Sequence, residues 1–184
     1  MFLTLGEIIQ LIVLTVVLGY IFSSFIQRPK PLYELRPWFD WDDVKFAAMV
    51  AAPAVILHEF GHKFVALALG LEATFSIWPT GLFIGIVLKL LHSPILFLAP
   101  AYVSFSANAT AMQSILISVA GPAVNLLLWG ISAHVLKTKR RMTQNELVGW
   151  AISKKLNLFL FVFNMIPVPP LDGFKVLLGI IHLF

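Results

Sequence analysis

Long apolar runs separated by short polar segments make up most of this chain. Residues 2–26 and 44–71 form the first two runs, and residues 111–136 and 147–168 form two more. Each run has about the 20 residues that a helix needs to cross the hydrocarbon core of a bilayer. The pattern therefore predicts an all-α multi-pass membrane protein with about four transmembrane helices.

The segment between the second and third runs, residues 74–105, is apolar but interrupted. Pro79, Gly81, Pro94 and Pro100 divide it into pieces that are too short to cross a bilayer unaided. We expect a broken re-entrant or β-hairpin element at this point, with strands as one way of building it.

The first run carries no Lys or Arg before it, whereas a cleaved signal peptide normally starts with a basic region. We therefore expect a retained first helix. The loop that follows, residues 28–43, contains prolines and Trp38 and Trp41, which suit a connection at the level of the lipid headgroups. No repeat or low-complexity tract divides the chain, so we expect one membrane-embedded domain over residues 1–184, with 1–26 as an accessory helix and 44–184 as the core.

Composition agrees with a membrane location. Of the 184 residues, 59% are hydrophobic and 12% are charged, and the mean hydropathy is +0.91. The net charge of +4 comes from small clusters, chiefly the KTKRR segment that starts at Lys137, which suits a loop near lipid headgroups. No basic stripe is interleaved with aromatic residues, so nucleic acid is not an expected partner. Because the chain has no cysteine, a transition metal would have to be held by His, Asp or Glu.

The stretch AVILHEFGHKFVALALG, residues 54–70, has the HExxH arrangement inside an apolar run. His58 and His62 are four residues apart, so in a helix their imidazoles share one face and can bind one ion. Glu59 is turned about 100° around the axis, which lets its carboxylate reach a water held by that ion without being a ligand. Gly61 keeps a side chain off the turn between the histidines, so another segment can approach closely.

The residues of this stretch could instead have a purely structural role. The two histidines could be hydrogen-bonding groups between helices, with Glu59 paired to Lys63. A charged side chain in a span costs about 2.5 to 3.5 kcal/mol on insertion scales, so an ionisable cluster there favours a functional site. For Lys63 itself we expect a local partner or a side chain that reaches toward the membrane surface.

A catalytic zinc site usually has three protein ligands, so a third must be found. Most of the nine acidic residues belong to the first run or to polar loops, and Glu72 is about 15 Å from His62 along a continuous helix axis. Asp172 remains, in NMIPVPPLDG, where prolines prevent a regular helix and irregular backbone needs a cavity or protein around it. Asp172 could instead cap a final helix over residues 173–184, but beside HEFGH we favour a ligand.

HEFGH in one span, AGPAVN in a later one and NMIPVPPLDG in a third together resemble the site-2 protease family of intramembrane zinc metalloproteases. The resemblance extends from residue 44 to the C-terminus, and it implies that the core 44–184 is catalytic. It implies one zinc ion per chain bound by His58, His62 and Asp172, with Glu59 as the catalytic base. It also points to Asn125 and Asn164 as substrate-binding polar groups, for which a hydrogen bond between helices is the alternative.

The resemblance further implies transmembrane protein substrates, regulated intramembrane proteolysis and a location in the cell membrane. Phe174 and Lys175 stand where the family often has Gly or Arg, and the short end after Gly173 is typical of a minimal core. By charge, the basic loop after the first helix and the KTKRR loop should both face the cytoplasm. The resemblance to the family would instead place both loops outside. His92, His134 and His182 lack a partner at ligand spacing, so we expect packing or interfacial roles.

Two other classes of function fit the same residues. A membrane transporter could use the same ligands to carry metal ions, and it would tolerate loss of the Glu59 carboxylate. A non-catalytic descendant of the family would only bind membrane proteins and would not require a base.

Overall fold

The computed structural model describes residues 3–30, 37, 39–93 and 100–183. Its elements in chain order are α1 (Leu5–Phe22), α2 (Trp41–Ala68), β1 (Ala73–Ile77), α3 (Pro79–Leu90), β2 (Ala101–Phe105), α4 (Ala111–Thr138), α5 (Gln144–Asn164) and α6 (Asp172–Ile181). The interfacial role expected for Trp38 and the chain break expected at Pro94 fall outside the described residues. The fold is mostly helical, as the apolar runs predict.

Three of the long helices begin with the same arrangement of side-chain hydrogen bonds. Thr4, Thr110 and Thr143 each accept a hydrogen bond from the backbone of the third residue of α1, α4 and α5, and the Glu or Gln at that position bonds back to the cap. These capping boxes satisfy backbone N–H groups that the first turn of a helix leaves unpaired. Each helix therefore starts at the threonine that its sequence specifies.

Three helices of the described chain are long and apolar enough to cross a membrane: α1, α2 and α4. The fourth predicted span, residues 147–168, corresponds to α5, which is 21 residues long but carries Lys154 and Lys155 near its middle. Because these charges lower its hydropathy, α5 is not among the three, and the prediction of four spans is not confirmed.

Helix α2 lies at the centre, with α1, α4 and α5 packed against it, while α6 packs against α4. The start of α4 lies at the end of α2, where Gln113 Nε2 donates to Leu69 O at 3.4 Å. The start of α5 lies near the beginning of α2, because Gly149 is next to Phe46. Helices α2 and α4 are therefore antiparallel, and the interrupted segment between them returns to the side that it left.

The interrupted segment forms two antiparallel strands with α3 between them. In the register of this sheet, Ala73 is opposite Phe105 and Ile77 is opposite Ala101. The other edge of β1 faces α1, whose side chains accept from the strand backbone: Phe75 N donates to Glu7 Oε1 at 2.7 Å and Ile77 N donates to Gln10 Oε1 at 2.8 Å. Polar side chains of α1 thus bond an edge that would otherwise need another strand or water.

Glu7 also forms a buried ion pair with Lys63 of α2. The two residues are 2% and 1% exposed, and a carboxylate oxygen of Glu7 accepts from Lys63 Nζ. We expected Lys63 either to have a partner close in the sequence or to extend its side chain toward the membrane surface, and both expectations are wrong. The folded chain supplies a carboxylate from 56 residues away, and a buried ammonium needs such a partner.

Ion pairs also hold the connection between α1 and α2 near the start of α2. Lys30 Nζ lies 2.6 Å from Asp40 Oδ2, and Arg28 Nη2 lies 3.0 Å from the same oxygen. Hydrogen bonds from Lys30 and then Arg28 hold the pKa of Asp40 well below its usual range. Asp40 also caps α2 by accepting from Asp42 N, so this loop fixes where the central helix begins.

Candidate metal centre

His58 and His62 project from one face of α2 toward α4. Both are 6% exposed, and their Nε2 atoms lie 3.2 Å apart. This proximity follows from the four-residue spacing, which places two side chains one above the other on a helix. The pair therefore presents two imidazole nitrogens to one point in the interior.

Asp172 reaches that point as the first residue of α6. Its Oδ2 lies 3.2 Å from His58 Nε2 and 3.1 Å from His62 Nε2. Leu171 is the N-cap of α6 and no side chain caps the helix, so the capping role considered for Asp172 is not observed. Gly173 allows the close turn here, because a Cβ at this position would lie 2.3 Å from Met165 O.

The three donor atoms fit a zinc ion. Their mutual separations of 3.1 to 3.2 Å are close to the roughly 3.3 Å expected between ligands of a tetrahedral ion with bonds of about 2.0 Å. Two imidazole nitrogens and one carboxylate oxygen are a donor set that zinc accepts. Within the described ranges, this is the one group of three such side chains close enough to hold an ion.

The second nitrogen of each imidazole has its own partner. His58 Nδ1 lies 2.6 Å from Asn125 Oδ1, and His62 Nδ1 lies 2.7 Å from the carbonyl oxygen of Ile117. Both partners accept, so each Nδ1 carries the proton and each Nε2 is left with a lone pair. This arrangement orients both rings for metal binding.

Two glycines allow α2 and α4 to approach closely at the site. A Cβ on Gly61 would lie 2.8 Å from Ala120 O, and a Cβ on Gly121 would lie 2.3 Å from His62 Nε2 and 2.8 Å from His58 Nε2. The close approach expected at Gly61 is therefore present, and the segment that approaches is α4. The backbone of α4 at Gly121 forms one wall of the metal centre.

Glu59 lines a cavity of about 110 Å³ beside the three donors. It is 8% exposed, and its carboxylate makes no hydrogen bond or ion pair with the part of the chain that the structure describes. The cavity has room for several waters. Strand β2, the end of α5 and the turn before α6 form the rest of its wall, with Tyr102, Asn164 and Lys175 among the lining residues.

Comparison of the sequence with known proteins shows the family to which the chain belongs. A curated protein of Methanocaldococcus jannaschii, named "Putative zinc metalloprotease MJ0611", is 30% identical over 175 residues, which is 93% of this chain and 83% of the relative. The chain belongs to this zinc metalloprotease family. The family name agrees with the donor set and with zinc as the metal.

Two further relatives of this chain carry the same kind of name. A protein of Synechocystis sp. is 29% identical over 167 residues, which is 90% of this chain but 39% of the relative. A protein of Bacillus subtilis is 34% identical over 74 residues, which is 36% of this chain and 34% of the relative. The match thus spans well under half the length of these two relatives. No family model matches the chain. No solved structure matches it.

The two asparagines that were predicted from the sequence as substrate-binding groups, Asn125 and Asn164, occupy different places. Asn164 lines the cavity, and its amide donates to Leu160 O at 3.0 Å. Asn125 has no exposed surface and lies behind His58, where its amide also donates to Ala54 O at 2.9 Å. Only Asn164 is therefore placed to meet a molecule in the cavity.

Two residues have contacts near the metal centre that were not predicted from the sequence. Lys175 Nζ lies 3.3 Å from Asp172 Oδ1, the oxygen that does not face the histidines. Asn157 accepts from the Asn125 amide at 2.9 Å. The spacing of Lys175 from Asp172 on one helix could have indicated the first contact, whereas nothing local indicates the second.

Proposed function

We propose that this metalloprotease is of the site-2 type, and that it hydrolyses peptide bonds within or near transmembrane segments of other proteins in the cell membrane. The observation that carries the proposal is the position of the site. His58, Glu59 and His62 belong to α2, which is long and apolar enough to be a membrane span. Ionisable groups in a span are costly and usually functional.

The geometry of the cavity supports a role for each residue in this proposal. When bound by His58, His62 and Asp172, zinc supplies a Lewis acid that polarises a peptide carbonyl and activates water near neutral pH. Glu59 lies beside these donors and has no competing partner among the described side chains, so it takes the proton of the attacking water. It then returns that proton to the leaving amine. Lys175 donates to the second oxygen of Asp172, the one that does not face the imidazoles.

The substrate has a barrier of its own. A transmembrane helix bonds its peptide carbonyls within its own backbone, so a segment must unwind before Glu59 and its water can act on it. Gly and Pro weaken a helix and Asn competes with its backbone bonds. Substrates with these residues near the cut are therefore expected to be cleaved faster than uninterrupted Leu-rich helices.

Metal content and cleavage of a single-span reporter by purified protein in detergent test the proposal. Wild type should bind one zinc per chain and cleave the reporter. Asp172→Ala should lose both properties, whereas Glu59→Gln should keep the zinc and lose at least 99% of the rate, because a general base contributes about 10²- to 10⁴-fold. A reporter helix of uninterrupted Leu is the matched substrate control.

The outcomes separate the classes of function. A Glu59→Gln protein that cleaves like wild type would contradict the proposal. Metal transport into vesicles that survives Glu59→Gln but fails in His58→Ala would favour a transporter. A folded wild type without zinc and without cleavage would leave a non-catalytic binding protein as the better description.

A further inference from the structure

The ligand His58 is held from behind by a buried amide. Asn125 of α4 is 0% exposed, and its Oδ1 lies 2.6 Å from His58 Nδ1. Its Nδ2 donates two hydrogen bonds, to Ala54 O and to Asn157 Oδ1, both at 2.9 Å. Since a backbone carbonyl can only accept, Ala54 O fixes which end of the Asn125 amide is nitrogen. The oxygen must then face His58.

A second amide repeats this arrangement one helix further away. Asn157 of α5 is 2% exposed, and its Nδ2 donates to Ser153 O at 2.9 Å and to Ser153 Oγ at 3.2 Å. The carbonyl of Ser153 can only accept, so it fixes the Asn157 amide in the same way. The oxygen of Asn157 must therefore face the Asn125 amide.

The hydrogen bonds continue from Ser153 back to α4. Ser153 Oγ lies 3.1 Å from Ser132 Oγ, and Ser132 Oγ donates to Leu128 O at 2.8 Å. Because the Ser132 proton is used on that carbonyl, Ser153 is the donor between the two hydroxyls. Every proton from His58 Nδ1 to Leu128 O thus points away from the metal centre.

We propose that Asn157 is a positioning residue of the metal centre, which acts through Asn125 to hold His58 with its proton on Nδ1 and its Nε2 lone pair toward the ion. The proposal rests on the metal site described under the proposed function. Without the oxygen of Asn157, one N–H of Asn125 would have no partner in a buried site. The Asn125 amide would then rotate or shift, and the hold on the His58 ring would loosen.

A purely structural role of Asn157 makes a different prediction. Interhelical hydrogen bonds between polar side chains also hold membrane helices together, so loss of Asn157 could lower stability alone. A positioning role must also change the affinity for zinc and the ligand field of the bound ion. These two readouts separate the positioning role from the structural one.

Asn157→Leu tests the proposal in purified full-length protein. We expect the zinc dissociation constant to rise about tenfold, at the low end of the range for partners of a ligating histidine, with an altered visible absorption spectrum when Co²⁺ replaces zinc. Asn157→Asp keeps an oxygen toward Asn125 and should retain tighter zinc binding than Asn157→Leu. Lys139→Met is the control, because it removes a contact between the ends of α4 and α5, with Glu146, that lies outside this series of hydrogen bonds, and it should leave both readouts unchanged.

The outcomes distinguish this proposal from the proposed function. If wild type binds no zinc, the proposed function fails. If wild type binds zinc and a folded Asn157→Leu protein matches it in dissociation constant and Co²⁺ spectrum, only the role of Asn157 is overturned.

If neither Asn157 variant folds, a variant that keeps Asn157 still tests the hydrogen-bond directions on which the proposal rests. In this variant His92, His134 and His182 are replaced by Gln, and the ¹⁵N signals of the two histidines that remain, His58 and His62, are assigned in the metal-free protein. A proton on His58 Nδ1 supports the direction of the hydrogen bonds, and a bare Nδ1 overturns it.

Discussion

Gly121 is the residue of α4 that lies against the metal-binding nitrogens of both histidines. No side chain fits there, since a Cβ would lie 2.3 Å from His62 Nε2. An added methyl group must therefore displace α4 or turn an imidazole away from the ion, and overpacking of this kind costs about 1 to 3 kcal/mol. Like Asn125, which bonds His58 from the same helix, Gly121 is a residue of α4 whose replacement acts directly on the ligand geometry.

Gly121→Ala should weaken zinc binding roughly tenfold to a hundredfold, in line with an overpacking cost of about 1 to 3 kcal/mol. Gly130→Ala on the same helix is the matched control, because a Cβ there meets nothing within 4 Å. The control should bind zinc like wild type and gain about 1 kcal/mol of helix stability. Titration with zinc and a thermal melt of each protein measure the two effects. Equal zinc affinity in the two variants would contradict the close contact between α4 and His62.

The sequence predicted the parts of the metal centre that depend on local spacing. His58 and His62 could be paired because a helix places residues four apart on one face. Asp172 followed from the small number of acidic residues. Asn157 could not be found in this way, because its contact with Asn125 depends on how α5 is rotated against α4. A polar residue in an apolar helix shows that a partner exists but not which one.

At the scale of elements, the ion pair between Glu7 and Lys63 joins the first helix to the central one. Both side chains are nearly inaccessible, and loss of one partner leaves a buried charge without compensation. Glu7 lies in the first turn of α1, toward the end of a span, so the cost should be at the low end of the range for such pairs. We expect roughly 3 kcal/mol for either single change.

Glu7→Gln and Lys63→Met should each lower the free energy of unfolding in detergent, and the double variant should lose less than the sum of the two. Lys139→Met is the control, because it breaks an exposed ion pair: the side chain of Lys139 is 44% exposed and that of its partner Glu146 is 41% exposed. It should leave stability unchanged, as exposed pairs usually contribute little. Chemical unfolding followed by tryptophan fluorescence gives the comparison. Additive effects of Glu7→Gln and Lys63→Met would show that the two groups do not interact.

The boundaries of the elements could be predicted where a capping residue or a break in an apolar run marks them. Threonine caps mark the starts of α1, α4 and α5, and the segment over residues 74–105 did turn out to contain strands. The helix α3 between them was not predicted, because Pro79 reads as a break although proline suits the first turn of a helix. A fourth span was predicted from the length of one apolar run, whereas Lys154 and Lys155 lie within it.

At the scale of the whole molecule, the antiparallel packing of α1, α2 and α4 sets which segments share a side of the membrane. The end of α1, the start of α2 and the basic segment between α4 and α5 lie at one end of the bundle. The turn between β2 and α4 lies at the other end, near the last turn of α2. Helix α4 has 28 residues, which is about 42 Å of helix and enough to cross a bilayer.

Single cysteines can test this arrangement without background, because the chain has none of its own. Gln27→Cys and Arg141→Cys should react with a membrane-impermeant thiol reagent from the same side of sealed vesicles. Ala107→Cys, on the turn before α4, should react from the opposite side. All three positions are exposed. Labelling of all three from one side would contradict α4 as a crossing helix.

The bonds between α1 and its neighbours bear on how far the chain can be shortened. A protein begun at residue 44 would keep every metal ligand, yet Lys63 would lose its carboxylate, and the backbone N–H groups of Phe75 and Ile77 would lose the acceptors that Glu7 and Gln10 provide. The smallest unit that can fold is therefore larger than the smallest unit that contains the chemistry, and an expression fragment has to begin before α1.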